Sequence, residues 1–194
     1  GGSSAVDNAP NAELTVTGLY SISSTNKFVN EGKATFGKFT SIGSAQMKNT
    51  GTVTVAGKTE INATAARWVN ISTWITETMQ TKGAGNKYFN NCRLTVNEKL
   101  KIESSLWYNV EGAYIETKDF IMTNSHLSME ENSMLNVSNL AQLIDNRGGD
   151  KRGDEYEGIY GTGSSKGALV KFKKAIPKVN NTAQAAYYSG MLQI

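Results

Sequence analysis

The sequence predicts an all-β fold: a single-stranded right-handed parallel β-helix (β-solenoid) with about 20 residues per coil and about seven or more coils. Three observations predict it. Asn, Thr and Ser are abundant, and helix-favouring runs of Ala, Leu, Glu and Lys are absent, which leans towards strands. Large apolar side chains return every 19 to 21 residues, as Phe28, Met47, Trp68, Tyr88, Tyr108 and Met129. Two residues after the first four stand Asn30, Asn49, Asn70 and Asn90. An antiparallel β-sandwich would also give short strands between turns, but it does not require one side-chain type to return at a constant period.

Taken along the chain, residues 1–11 lack the basic and apolar regions of a signal peptide and read as a flexible leader before a domain spanning 12–194. The register enters weakly at Ala12, with Leu14, Val16 and Ile22 in its apolar slots. Regular coils occupy 28–144. Each has a small residue at a corner: Gly32, Gly51, Ser72, Cys92, Gly112 and Ser133. Two residues further on come Ala34, Val53, Trp74, Leu94, Tyr114 and Leu135, and ten residues on come Ile42, Ile61, Ile102, Met122 and Leu143.

Alternation along a strand sends one set of side chains inward, so Leu94, Val96, Leu100 and Ile102 are expected to face the core. Stacking coils about 4.8 Å apart turns equivalent positions into columns. The column from Phe28 to Met129 is expected to be buried, and Asn30, Asn49, Asn70 and Asn90 to form an amide ladder. Residues of about 145–167 break the register as an irregular insertion, and terminal coils follow over 168–194 at "GALVKFKK" and "GMLQI". Lys171 and Lys173 flank Phe172 and are expected outward, protecting an end strand.

With the coils aligned, "NTGTVTVAGKTEINATAARWVN", "FNNCRLTVNEKLKIESSLWYNVEGAYIETKDF", "SSKGALVKFKK" and "YYSGMLQI" resemble a known kind of region. It is the Asn-rich β-solenoid repeat of large adhesin-like surface proteins from Bacteroides-type bacteria, often associated with an LruC domain. The resemblance covers roughly residues 28–194, without an LruC-like segment. It implies an extracytoplasmic, cell-surface or secreted bacterial protein and brings no catalytic residues with it.

Charge excludes several functions. The 20 basic and 17 acidic residues are spread along the chain for a formal +3, which implies no nucleic-acid partner. No apolar run is long enough for a membrane span. The single cysteine, Cys92, forms no intrachain disulfide and has no neighbouring His, so a small corner residue explains it better than a nucleophile. The single histidine, His126, is a poor start for a zinc site and reads as a surface or turn residue.

Asp145, Asp150, Asp154, Glu155 and Glu157 lie in the Gly-rich insertion and offer hard oxygen ligands for calcium. Arg147, Lys151 and Arg152 offset their charge, and the spacing fits neither an EF-hand nor a nonapeptide calcium repeat, so a solvated insertion without cofactor is the reading. "GTGSSKG" at 161–167 lacks the Gly-Lys-Ser/Thr ending of a phosphate loop. Among the aromatic residues, Trp74, Trp107, Tyr187 and Tyr188 fall outside the core column and are the candidates for sugar stacking.

Two functional classes follow. The first is a non-catalytic surface module or rigid spacer that binds a glycan or a surface protein. The second is a carbohydrate-active β-helix enzyme of the polysaccharide lyase or hydrolase type, which needs clustered carboxylates. Acidic residues in the regular coils scatter, and this favours the first class. Glu60, Glu98 and Asp119 fall within two positions of one another in their coils and are where the enzyme reading begins.

Overall fold

The computed structural model of the chain describes residues 5–63, 67–83, 86–144, 151–152, 155–156, 158–161, 168–173, 175–178 and 192–193. Among them there is no helix, and parallel strands stack as a β-solenoid of about seven turns at intervals of about 20 residues.

Each coil is a short strand followed by a long one. The short strands β1 (Ala5–Asn8), β3 (Lys27–Asn30), β5 (Gln46–Asn49), β7 (Arg67–Asn70), β9 (Lys87–Asn90), β11 (Leu106–Asn109), β13 (His126–Met129) and β17 (Gly158–Gly161) form one sheet in that order. The long strands β2 (Glu13–Ile22), β4 (Lys33–Gly43), β6 (Thr52–Ala63), β8 (Thr73–Lys82), β10 (Arg93–Glu103), β12 (Tyr114–Thr123) and β14 (Met134–Ile144) form the second. That sheet continues through β18 (Leu169–Phe172), which pairs with both β14 and β20 (Leu192–Gln193), while β19 (Ala175–Lys178) also joins β14. Off the stack, β15 (Lys151–Arg152) and β16 (Glu155–Tyr156) pair antiparallel within the expected insertion. β17, in the same stretch, returns to the stack against β13.

The solenoid reaches further back than the leader reading of residues 1–11 allows. β1 pairs residue for residue with β3, and Asn8 is buried. Val6 and Asn8 align with the inward Phe28 and Asn30, Val6 exposed and Asn8 buried, and the parallel pairing with β3 holds the segment there.

Long strands bend around a corner at a register shift, for example between Val96 and Lys99 or between Val55 and Lys58. The bend does not hold the same number of residues in every coil. Thus Ser41, and not the expected Ile42, aligns with Ile61, Thr81, Ile102, Met122 and Leu143 in the core column. Ile42 is half exposed, and the buried Ser41 hydroxyl has no hydrogen-bond partner. Leu94, Val96, Leu100 and Ile102 are fully buried, as alternation predicts.

The central apolar column is Phe28, Met47, Trp68, Tyr88, Trp107, Leu127 and Ile159, each the direct neighbour of the next. The expected Tyr108 and Met129 are not in it. Tyr108 pairs with Phe89 on the outer face, and Met129 follows Asn109 at the end of the asparagine column. The cause is a change of turn. After Asn30, Asn49, Asn70 and Asn90 the chain needs two residues to reach the next long strand; after Asn109 and Met129 it needs four.

The longer turns close with hydrogen bonds from Ala113 N to Val110 O and from Ser133 N to Glu130 O, and they hold Gly112 and Asn132 at φ of 69° and 55°. Ala9–Ala12 repeats the arrangement with Pro10 followed by Asn11 at φ 64°. Asn90 and Asn109 are only 19 residues apart while Leu94 and its partner Ile115 are 21 apart, so a constant period of 20 averages two opposite shifts. Tyr114 accordingly gives up the expected inward slot to Ile115, which is fully buried.

Candidate functional site

The asparagine ladder is the most regular polar structure in the molecule, and it is longer than expected. Six side chains connect in one direction, each Nδ2 donating to the next Oδ1: Asn8 to Asn30 at 2.7 Å, Asn30 to Asn49 at 2.8 Å, Asn49 to Asn70 at 2.8 Å, Asn70 to Asn90 at 3.0 Å and Asn90 to Asn109 at 2.9 Å. Each Nδ2 also donates to the backbone carbonyl of the first residue of the long strand in the next coil, as from Asn70 to Arg93 O at 2.9 Å. Most turn back as well to a carbonyl in their own corner, as Asn70 does to Ser72 O at 3.0 Å. The ladder ends where Asn109 meets the sulfur of Met129. Its amide capacity is consumed internally, so it stabilises the corner and offers nothing to a ligand.

Trp74 and Trp107, expected as exposed sugar-stacking residues, are fully buried. Trp74 occupies the inward slot between Val53 and Leu94, and its indole N–H donates to Thr59 at 3.3 Å. Trp107 is in the central column, stacks on Tyr88 at 5.0 Å and donates to Thr81 at 3.1 Å. Both satisfy alternation; only the register hides this for Trp107. Tyr187 and Tyr188 lie outside the described residues.

Of the calcium candidates, Asp145, Asp150, Asp154 and Glu157 lie outside the described residues, and for Glu155 only its backbone in β16 is described. Among the described residues no group of three His, Cys, Asp or Glu side chains is arranged to hold a metal. Cys92 is exposed at its corner. His126, expected at the surface, is buried in β13, with its ring stacked on Tyr160 at 5.4 Å. It aligns with Leu106 in the column that carries Lys27, Gln46 and Arg67 in earlier coils, and Tyr108 in the adjacent outward column also lies against its ring, at 6.1 Å.

The long-strand sheet holds every ion pair among the described residues: Glu13–Lys33, Lys58–Glu60, Arg93–Glu116, Lys101–Glu103 and Glu98–Lys118. The three carboxylates of the enzyme reading are not brought to one point. Glu98 lies 2.7 Å from Lys118, and Asp119 accepts from Asn139 at 2.7 Å, both at the bend. Glu60 is paired with Lys58 two coils from Glu98, about 10 Å along the stack. Lys118 is raised by its hydrogen bond to Glu98 and then by that residue's charge. Glu103 is the most sheltered acid of the set. Partial burial acts to raise its pKa, but hydrogen bonds from Lys101 and Gln80 and the charges of Lys101 and Lys82 outweigh this and hold it below the usual range.

The short-strand sheet has a different outer face. Its outward positions alternate with the central column and run Val29, Lys48, Val69, Phe89, Tyr108, Ser128 and Tyr160, of which Ser128 is buried. Phe89 and Tyr108 stack face to face at 4.8 Å and 12°, and both are half-buried. The Arg67 guanidinium lies 5.5 Å from the centre of the Phe89 ring. Beside this row an open groove of about 360 Å³ crosses β3, β5 and β7, lined by Lys27, Val29, Gln46, Lys48, Val69 and Ile71 among others. The chain matches no family model, no curated protein and no solved structure.

Sequence reasoning missed Phe89 and Tyr108 because Tyr108 was assigned to the core. The signal was present: Phe89 follows the inward Tyr88, and alternation places such a neighbour outside.

Proposed function

We propose that this chain is a non-catalytic binding module of an extracytoplasmic bacterial surface protein, and that it engages a glycan or protein partner through the outer face of its short-strand sheet. The observation that carries the reading is the stacked Phe89–Tyr108 pair beside the groove at Val29, Lys48 and Val69. Aromatic faces next to polar and cationic side chains suit a sugar ring, which has apolar faces and polar edges. The resemblance of the repeat blocks to adhesin-like surface proteins supports the location. On the opposite sheet, the carboxylates that an enzyme would use are engaged in ion pairs or hydrogen bonds of their own.

A glycan array followed by calorimetry on the hits tests it. Binding without new reducing ends or unsaturated products is the expected result. Depolymerisation of any bound polysaccharide would replace this reading with the lyase or hydrolase one, beginning at Glu98 and Asp119.

A further inference from the structure

Charge is divided unequally between the two faces. On the short-strand face Lys27, Lys48, Arg67 and Lys87 are all exposed, and none of them makes an ion pair among the described residues. They come one per coil, on β3, β5, β7 and β9 in succession. Lys27, Arg67 and Lys87 share one outward column with Gln46, and Lys48 stands in the neighbouring column with Val29, Val69 and Phe89. The result is one cation per coil, rising about 4.8 Å each along the stack, with Lys48 offset by two residues, about 7 Å, across the sheet.

At the N-terminal edge Asp7 continues the outward column of Val29 and Lys48, and with Glu31 it lines a pocket at the border of the row. The long-strand face mixes the two signs: Glu13, Glu60, Glu98, Glu103 and Glu116 each pair with a basic side chain, and Lys38 and Lys99 stand among them without an ion pair among the described residues, whereas β3, β5, β7 and β9 carry no acidic residue. Repeat-to-repeat drift in surface charge does not account for this, because both faces are built from the same coils.

We propose, resting on the binding reading above, that the ligand of this face is an anionic polysaccharide with a carboxylate on each sugar, a polyuronate, lying along the solenoid axis. One cation per coil matches a polymer with one anion per ring, and the coil spacing is comparable to the length of a sugar residue. The groove at Val29, Val69 and Ile71 accepts ring faces between the charges, and the stacked Phe89–Tyr108 pair continues the platform beyond the groove. A folded acidic protein presents its charges at irregular spacing and uses the regular row less well. Cations left unpaired at an exposed face attract such a chain from a distance and lose that attraction in salt.

The test is calorimetry of the full chain with oligogalacturonate, the same oligomer after carboxyl reduction, and poly-glutamate. Oligogalacturonate should bind, at least tenfold more tightly than the reduced oligomer, and weaken as salt rises. The double variant Lys48→Glu/Arg67→Glu should lose at least tenfold, while Lys38→Glu/Lys99→Glu on the other sheet should lose less than twofold, with circular dichroism and melting confirming that both fold. Equal binding of the reduced oligomer overturns the anionic assignment and leaves the glycan-binding reading intact. Equal or tighter binding of poly-glutamate overturns the carbohydrate assignment. If neither oligomer binds and the array is also blank, both the inference and the reading beneath it fail.

Discussion

Replacing Asn70 by Ala tests how the corner is held. The Asn70 amide donates to Asn90 Oδ1, Ser72 O and Arg93 O and accepts from Asn49 Nδ2 at 2.8 Å, all away from solvent. Ser72 O keeps a second donor, Arg93 N, so its loss is partial. The other three bonds each contribute roughly 1 kcal/mol, and the stranded Asn90 and Asn49 amide groups carry a desolvation cost, so the total is about 3–4 kcal/mol. Asn8→Ala should cost less, about 2 kcal/mol, since Asn8 donates to Asn30 Oδ1 and Lys33 O but stands first in the ladder and receives no bond from a preceding asparagine among the described residues. Urea unfolding followed by the fluorescence of the three tryptophans measures both. Because distant coils couple weakly, amide exchange at Ile71 and Asn91, which donate to Asn49 O and Asn70 O across this corner, gives the local readout. Equal costs for the two variants, or no acceleration at Ile71 and Asn91, would refute a ladder that works by burying its amide groups.

Four further outcomes follow from the register and the corners. Trp107→Ala should cost about 3–5 kcal/mol and Tyr108→Ala about 1 kcal/mol or less in chemical denaturation; the reverse order would restore Tyr108 to the core. Gly51→Ala should be strongly destabilising, because a Cβ there runs into the Gly32 carbonyl and the Glu31 backbone, whereas Gly18→Ala meets nothing and should leave the melting temperature unchanged or higher. Glu103 has a folded pKa below its unfolded one, so its pairing stabilises above the usual glutamate range of about 4.3 and is lost as pH falls through the folded value. The melting-temperature advantage of wild type over Glu103→Gln should therefore hold at neutral pH and shrink towards pH ~3, and a difference unchanged in acid would contradict the assignment. Cys92→Ser should shift stability by less than about 0.5 kcal/mol, and a thiol reagent should label Cys92 in the folded protein; protection from the reagent would show the corner closed.

The column from Phe28 to Tyr88 and the asparagines from Asn30 to Asn90 were legible because, in those coils, the turn after each asparagine keeps one length, so large apolar side chains and asparagines return at fixed offsets. Beyond Asn90 the same reading falls one position late at Tyr108 and two at Met129, where Trp107 and Leu127 fill the column. A shortened approach and a lengthened turn cancel over a whole coil, and a count of residues per coil does not register them. The turn sequences Val110–Glu111–Gly112–Ala113 and Glu130–Glu131–Asn132–Ser133, each with a Gly or Asn at the left-handed position, were the local sign of the change. The slip cost the site as well as the fold: it sent Trp107 to the surface and hid the Phe89–Tyr108 pair.

By itself, the sequence determined that this chain winds as a parallel β-solenoid, that its corners carry an amide ladder and that apolar columns fill it, because each of these depends on residue type repeating at a period. Only the tertiary structure decided which aromatic rings are inside, that the ladder runs from Asn8 to Asn109, and that four successive short strands gather four cations without an acid while the long-strand face interleaves both signs. Those outcomes depend on the length of each turn and each bend, where one residue more or less moves a side chain to the opposite face. Lys58–Glu60 and Lys101–Glu103 pair two residues apart on one strand, but Glu13–Lys33, Arg93–Glu116 and Glu98–Lys118 depend on which charges the register sets side by side in adjacent coils.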